Sequence, residues 1–326
     1  MKWNTTGARN TAIGYGALTT NTTGADNVGI GRNALQVNTT GDNNTAIGNN
    51  ALDESTTATD NVAIGRNAMQ ANTTGANNVA VGKDALYANT TANSNTAVGY
   101  RCGDAITTGH ENTLIGKDCG GATTTGRSNV AMGYETFLTN TSGEYNTALG
   151  YEALRNNTTA YRNVGVGISA LRNNTTGVQN TAIGDKALKE NTTGTLNAAV
   201  GSGALQNNTT GYQNVAIGRD AGNVQTTSGD NVFVGWQAGV ATTGSGNTLI
   251  GGRAGAFTVN LTTGNDNVVI GNKCRPAASS YDNCIVLGYN IDSAANEFAE
   301  NTKNDAGFRV PVIYWNFTSE NVMTLD

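Results

Sequence analysis

The sequence predicts an all-β protein, a parallel β-solenoid (β-roll) of about 17 coils, and three observations support this prediction. A five-residue phrase, Asn-(Thr/Val)-(Ala/Gly)-(Ile/Val)-Gly, recurs along the chain with a 17-residue period. A fixed period of this size means that each copy is one structural unit, which buries its apolar face by stacking on its neighbours. Within the phrase, residues alternate over a short β-branched run, as in a strand. The phrase also ends on glycine in every copy, as a tight corner requires.

The coil from Asn27 to Asn43, NVGIGRNALQVNTTGDN, serves as an example. Val28 and Ile30 lie on one side of the strand and Gly29 on the other, because side chains alternate along a strand. We expect Val28 and Ile30 to face inward. The Ala34-Leu35 step is expected to form a second inward wall, which gives about two short strands per coil.

The glycine that ends each phrase is predicted to be a structural corner. It is present in all copies while its neighbours vary. Glycine is needed where φ is positive or where another backbone comes too close for a Cβ. The first of these corners are Gly14, Gly31, Gly48 and Gly65.

Stacking the coils in register places identical side chains above one another about every 4.8 Å. The asparagine that opens the phrase would then form a ladder of stacked amides, an arrangement that stabilises cross-β structures. The first members of this predicted ladder are Asn10, Asn27, Asn44 and Asn61.

The middle residue of the phrase is expected to face away from the core, yet it is small or apolar and never polar. A continuous apolar stripe on the outside of a thin solenoid should be covered, so it is predicted to be a chain–chain interface. That it packs under a loop of its own coil remains an alternative. The predicted interface residues are Ala12, Gly29, Ala46, Ala63, Ala80, Ala97 and Ala148.

Composition excludes several function classes. The net charge is −5 and charged residues are 13% of the chain, with no basic stripe to neutralise phosphates, so nucleic acid is not an expected partner. No apolar run reaches the length of a transmembrane helix, so we expect no membrane insertion. The first repeat begins at Asn4 and leaves no room for a signal peptide, which favours release by another route or a piece of a longer chain.

The cysteines are predicted to be structural. Cys102, Cys119 and Cys274 occupy a position where most coils carry alanine, and Cys284 replaces the motif asparagine. A cysteine at an alanine position is a small buried hydrophobe, although a disulfide between Cys102 and Cys119 on adjacent coils remains an alternative. His110 is the one histidine, and no paired CxxC or catalytic motif is present. We therefore predict no enzyme activity, no catalytic residues, no cofactor and no metal site.

Each coil also carries a pair of adjacent hydroxyl residues, generally Thr-Thr. The Asn-Thr-Thr sequons are interpreted as turn and ladder residues rather than as glycosylation sites. A regular threonine array suggests ice binding as a minor alternative. Adjacent threonines point in different directions, however, which disfavours a flat array.

The repeats resemble a known family. Asn95–Gly99 (NTAVG) and Asn180–Gly194 (NTAIGDKALKENTTG) are similar to the head repeats of trimeric autotransporter adhesins and to repeats of bacteriophage tail-fibre and adhesin-like proteins. The resemblance covers about residues 4–288. It implies a left-handed parallel β-roll assembled as a homotrimer.

Three segments are predicted: an N-terminal stub at residues 1–3, the solenoid at 4–288 and a C-terminal module at 289–326. The module leaves the repeat and is expected to have an aromatic core, formed by Phe298, Phe308, Tyr314, Trp315 and Phe317.

The expected function is a structural fibre or adhesin, a phage tail-fibre-like shaft for host attachment. Its expected partners are further copies of itself, as a homotrimer or homopolymer, and a host cell-surface glycan or protein. Its expected location is extracellular or on the virion surface. The alternative is a self-assembling extracellular filament subunit, because open strand edges allow end-to-end association.

Overall fold

A computed structural model describes residues 2–256, 261–276, 280, 282–283, 285–290, 292–293 and 298–299. The chain divides into two compact units, Met1–Thr176 and Gly177–Asp326. Cys284 and most of the predicted aromatic module, including Phe308 and Trp315, lie outside the described residues. The predicted aromatic core therefore remains a prediction.

Within the described residues the secondary structure consists of short strands and turns, with no helix. The strands are β1 (Thr11–Ile13), β2 (Val28–Ile30), β3 (Thr45–Ile47), β4 (Val62–Ile64), β5 (Val79–Val81), β6 (Thr96–Val98), β7 (Thr113–Ile115), β8 (Val130–Met132), β9 (Thr147–Leu149), β10 (Val164–Val166), β11 (Thr181–Ile183), β12 (Ala198–Val200), β13 (Val215–Ile217), β14 (Val232–Val234), β15 (Thr248–Ile250), β16 (Val268–Ile270), β17 (Arg275–Pro276), β18 (Ile285–Leu287), β19 (Asp292–Ser293) and β20 (Phe298–Ala299).

The first unit is a parallel β-solenoid in which each strand from β1 to β9 pairs with the strand that follows it, up to β10. The register is one repeat, so that Thr11 lies opposite Val28 and Ala12 opposite Gly29. Each coil contributes one three-residue strand, and turns form the rest of the coil. The predicted all-β parallel solenoid is confirmed, whereas the expected two strands per coil is wrong.

The second unit repeats the same arrangement. Strands β11 to β16, followed by β18, pair in parallel, each with the strand of the next coil. Near its end β18 also pairs with β20, and β17 pairs with β19 in a separate two-stranded sheet.

The glycine that closes each strand occupies a corner with positive φ. The φ angles are +125° at Gly14, +133° at Gly31, +141° at Gly48 and +134° at Gly65. A Cβ added to Gly31 would lie 2.7 Å from the carbonyl carbon of Gly48 on the next coil. Both the left-handed backbone and the close approach of the neighbouring coil exclude a side chain, which explains why this residue does not vary.

The middle residue of each strand points into the coil, so the predicted direction of the strand faces is wrong. Of the seven predicted interface residues, five alanines are fully buried within their own chain, Gly29 is buried and Ala12 in β1 is half-buried. Ile47 and Ile64, expected in the core, are each 37% exposed. The fully buried alanines are Ala46, Ala63, Ala80, Ala97 and Ala148.

The narrow interior of the coil explains this direction. The strand position filled by Gly29 faces the side chain of Leu18, and a Cβ there would lie 3.4 Å from Leu18 Cγ. Leu18 and Leu35, the residues four positions after the corner glycine, are themselves fully buried. An alternating strand has to place either its one middle residue or its two flanking residues inside. Only one small side chain fits opposite these leucines.

Coils with Leu or Phe as the middle residue have glycine in place of the corner leucine, which is the residue four positions after the corner glycine. Leu114 is flanked by Gly120, where an added Cβ would lie 2.8 Å from Leu114 Cδ1. Phe233 lies between Gly222 and Gly239, and an added Cβ at Gly222 would lie 2.5 Å from Phe233 Cδ2. The interior volume of the coil is therefore conserved by paired changes at two positions, as dense core packing requires.

This pairing predicts a compensating double substitution. Leu114→Ala alone should leave a cavity and cost about 2–5 kcal/mol of unfolding free energy. Gly120→Leu alone should overpack the coil and cost about 1–3 kcal/mol. The backbone does not forbid this leucine, because Leu86 occupies the same coil position with φ +48°. Urea denaturation of the double variant should give a cost well below the sum of the two, and additive costs would contradict the paired-volume account.

Candidate functional site

The motif asparagines form a buried ladder that joins successive coils. The backbone N–H of Asn27 donates to Asn10 Oδ1 (2.9 Å), and that of Asn44 donates to Asn27 Oδ1 (2.9 Å). Asn61 N–H continues the series to Asn44 Oδ1 (3.1 Å). Most of these carboxamides also donate from Nδ2 to the carbonyl 14 residues later in the chain, as Asn44 does to Ala58 (2.7 Å). Buried amides are stable because their donors and acceptors are paired.

The asparagines of the Asn-Thr-Thr sequons form a second buried ladder. Asn38 is fully buried, and its Nδ2 donates to Asn21 Oδ1 (2.7 Å) and to the carbonyl of Gly41 (3.0 Å). Asn27 of the first ladder donates to the same Gly41 carbonyl (2.7 Å). The two ladders therefore meet at one oxygen, which uses both of its lone pairs. A structural role accounts for these sequons.

The cysteines and the histidine form no reactive constellation among the described residues. Cys102, Cys119 and Cys274 are buried, and Cys102 and Cys119 are both thiols, so the alternative disulfide between these two is not formed. A hydrogen bond with Cys119, together with burial, raises the pKa of the Cys102 thiol and keeps it neutral. His110 Nδ1 lies 3.7 Å from a Glu111 carboxylate oxygen. No group of three metal-ligating side chains occurs in the described part of the chain.

The outward side of the strands forms an exposed aliphatic surface in the first unit. We call the first and third residues of β1 to β10 the strand face. Its first column is Val or Thr and its second is Ile, Val, Leu or Met, with no charged residue in either. Its members are half-buried or exposed, and Met132 is among the more exposed.

The size of the strand face follows from β geometry. Ten strands at about 4.8 Å, each with two outward residues about 7 Å apart, give a projected area of roughly 340 Å². A surface of this size is within the range of the largest apolar patch on a typical monomer, and such patches are often functional.

A different column of exposed residues follows the corner glycines. The rings of Tyr134 and Tyr151 stack with centroids 5.3 Å apart and planes 9° from parallel. Lys117 Nζ lies 4.9 Å from the centroid of the Tyr134 ring. The faces of these rings are therefore turned toward neighbouring coils, and mainly ring edges remain for another molecule.

A surface groove of about 370 Å³ lies on the first unit, on the loops that precede β9 and β10. We call it the tyrosine groove. Tyr145 and Tyr161, both exposed, line it on adjacent coils. Its other lining residues are Ser142, Glu144, Thr159 and Arg162.

Charged side chains fix the groove walls. Arg127 Nε lies 3.1 Å from Glu144 Oε1, and the Arg127 guanidinium lies 5.9 Å from the centroid of the Tyr145 ring. The Arg162 guanidinium lies 5.8 Å from the centroid of the Tyr161 ring. Such cation–π contacts attract a positive charge to the face of an aromatic ring and help to hold the ring in place.

Comparison with known proteins gives no match, since no protein-family model, no curated protein and no solved structure is similar to this chain at a significant level. The described residues include no helix long and apolar enough to cross a membrane.

Sequence reasoning missed both surfaces. The strand face has a signal, because its two positions never carry a charge in any repeat while other outward positions do. The tyrosine groove has no such signal. Tyr145 and Tyr161 are at different coil positions, 16 residues apart in the sequence, and they meet only because adjacent coils are stacked.

The first ladder predicts a pH-dependent variant. In Asn78→Asp the new carboxylate would replace an Nδ2 that donates to the Ala92 carbonyl (2.8 Å) and to Asn61 Oδ1 (3.1 Å). At pH 7 three oxygens would face each other in a buried site, at a cost of about 3 kcal/mol or more. Burial and these acceptors raise the pKa of the introduced carboxyl above its unfolded value of about 3.9.

Because the folded pKa is raised, the charge penalty is absent below the unfolded pKa and grows as the pH rises through the folded pKa. The protonated carboxyl has one donor in place of the two that Asn78 uses, so calorimetry should show a small loss of Tm at pH 3.5 and a much larger loss at pH 7. Asn77→Asp is the matched control, since Asn77 is exposed and other coils carry aspartate there, as at Asp60. Equal effects of the two variants at pH 7 would contradict the ladder.

Proposed function

We propose that this chain is the shaft of a homotrimeric fibre or adhesin, similar to a phage tail fibre, which holds an attachment structure away from a surface. The observation that carries the proposal is the uncharged, exposed strand face of the first unit. On this account it is the surface on which copies of the chain meet. The strand face replaces the interface predicted from the sequence, because the middle residues of the strands, such as Ala46 and Ala63, lie inside the coil.

The chemistry of the strand face favours a second copy as its occupant. A partner has to match a flat aliphatic surface with a repeat of about 4.8 Å over ten strands. Another strand face has this repeat and this width. Neither column offers a charge that would select a different partner by electrostatic complementarity.

The ladders support a mechanical role. In the first unit each coil is joined to the next by strand pairing and by buried asparagine bonds such as Asn95 N–H to Asn78 Oδ1 (2.9 Å). Bending such a unit would break several of these bonds together. A stiff rod suits a shaft that separates an attachment site from a particle or cell.

The number of copies and the location rest on the resemblance of the repeats to trimeric adhesins and phage fibres. We propose a homotrimer placed outside the cell or on a virion, with a host-surface glycan or protein as its target. The filament alternative differs in its contact, because it joins strand edges end to end.

The hydroxyl pairs give little support to ice binding. Thr22 Oγ1 donates to the Thr39 carbonyl of the next coil (2.8 Å) and is therefore occupied. Thr23 and Thr40, which follow, are exposed and form a single column. An ice surface would require a wider array of free hydroxyls, so ice binding is not part of this proposal.

The proposal predicts the effect of charges on the strand face. The unaltered chain should have a discrete mass three times the 33.5 kDa of one chain. Ile47→Lys combined with Ile64→Lys should give monomers, because desolvating two charges in an aliphatic contact is unfavourable. Light scattering after size-exclusion chromatography measures both.

The matched control is Thr57→Lys combined with Thr74→Lys, which adds the same charges at exposed positions of the same two coils. It should remain trimeric. A monomeric unaltered chain at micromolar concentration, or isoleucine variants that stay assembled, would refute the strand-face contact. A series of polymers that lengthens with concentration would support the filament instead.

A further inference from the structure

We propose that the tyrosine groove is a binding site for a neutral glycan and takes one or two hexopyranose rings. The site rests on the proposed attachment function and gives it a ligand class. The groove volume of about 370 Å³ is near the lower end of the range of small-molecule sites.

The aromatic walls are suited to sugar rings. A hexopyranose has a face of C–H groups with a small positive charge, which packs on the negative face of an aromatic ring. Tyr145 and Tyr161 each have a guanidinium close to the ring, from Arg127 and Arg162 respectively, and both rings line the groove. The rings of Tyr134 and Tyr151 are less suited to a sugar, because they stack on each other.

The polar groups of the groove match sugar hydroxyls. Ser142 and Thr159 provide hydroxyl groups that donate and accept, the two phenols do the same, and Glu144 provides acceptor oxygens. Arg162 adds several N–H donors. A few convergent polar groups between aromatic walls are the usual composition of a small-molecule site.

The charge balance favours a neutral sugar over an acidic one. Glu144 and Arg162 line the groove with opposite charges, and Arg127 is paired with Glu144. A carboxylated sugar that approached Arg162 would also approach the Glu144 carboxylate. Neutral hydroxyls can bond to both groups without repulsion.

The groove is local, although the fold is periodic. At the two coil positions of Tyr161 and Arg162, the two coils that come before those of the groove carry His110 with Glu111 and Arg127 with Ser128. Neither pair contains an aromatic ring broad enough to stack on a pyranose. The ladders and strands continue unchanged beneath the groove, so its side chains can vary without loss of the coil.

The test uses the full-length chain and four probes: lactose, maltose, mannobiose and 3′-sialyllactose. Saturation-transfer NMR and calorimetry should detect at least one of the three neutral probes. Tyr145→Ala and Tyr161→Ala should each weaken that binding by about 10-fold or more, because each removes one stacking wall. Tyr151→Ala is the matched control, since Tyr151 and Tyr145 are both 49% exposed, and it should change affinity by less than about 2-fold.

Three results would overturn the site: no binding of any neutral probe at millimolar concentration, equal effects of Tyr151→Ala and Tyr145→Ala, or a preference for 3′-sialyllactose. The mass of each variant is measured in the same samples. A trimer that binds no neutral probe would refute the groove and leave the fibre standing. A monomer that binds one would refute the trimer and leave the site standing.

Discussion

The two buried asparagine ladders are the interaction on which the rest of this structure depends. They converge on one carbonyl per coil, as Asn27 and Asn38 do on Gly41, and so fix the distance and register between successive coils. A carboxamide satisfies this geometry because it carries a donor and an acceptor on one short side chain. Where the second ladder has Ser55 or Gln225 instead, polar atoms are left without partners, and Asn38 and Asn72 of this ladder also retain an unbonded Oδ1.

With the register fixed, the width of the coil follows. Two ladders and a corner leucine fill most of the interior, so one small side chain per strand completes it, as Gly29 does beside Leu18. The β-branched residues on either side are then turned outward. Solvent-facing aliphatic columns are thus a consequence of a narrow core, and in the proposed fibre further copies of the chain would cover them.

Period and composition were enough to predict the parallel solenoid, its register, the glycine corners and the buried cysteines. The direction of the strand could not be predicted, because alternation is symmetric and Val28 with Ile30 has more apolar surface than Gly29. Interior volume decides the direction, and that depends on Leu18, which is eleven residues away in sequence. The tyrosine groove depends in the same way on stacking, since Tyr145 and Tyr161 share no position in the repeat.

The most direct test of this account is hydrogen exchange of side-chain amides, measured by NMR. The carboxamide protons of Asn44, Asn61 and Asn78 are buried and bonded between coils. The account predicts that they exchange orders of magnitude more slowly than those of the exposed Asn77. Exchange at the same rate as Asn77 would show that the ladders do not hold the coils together and would contradict the account.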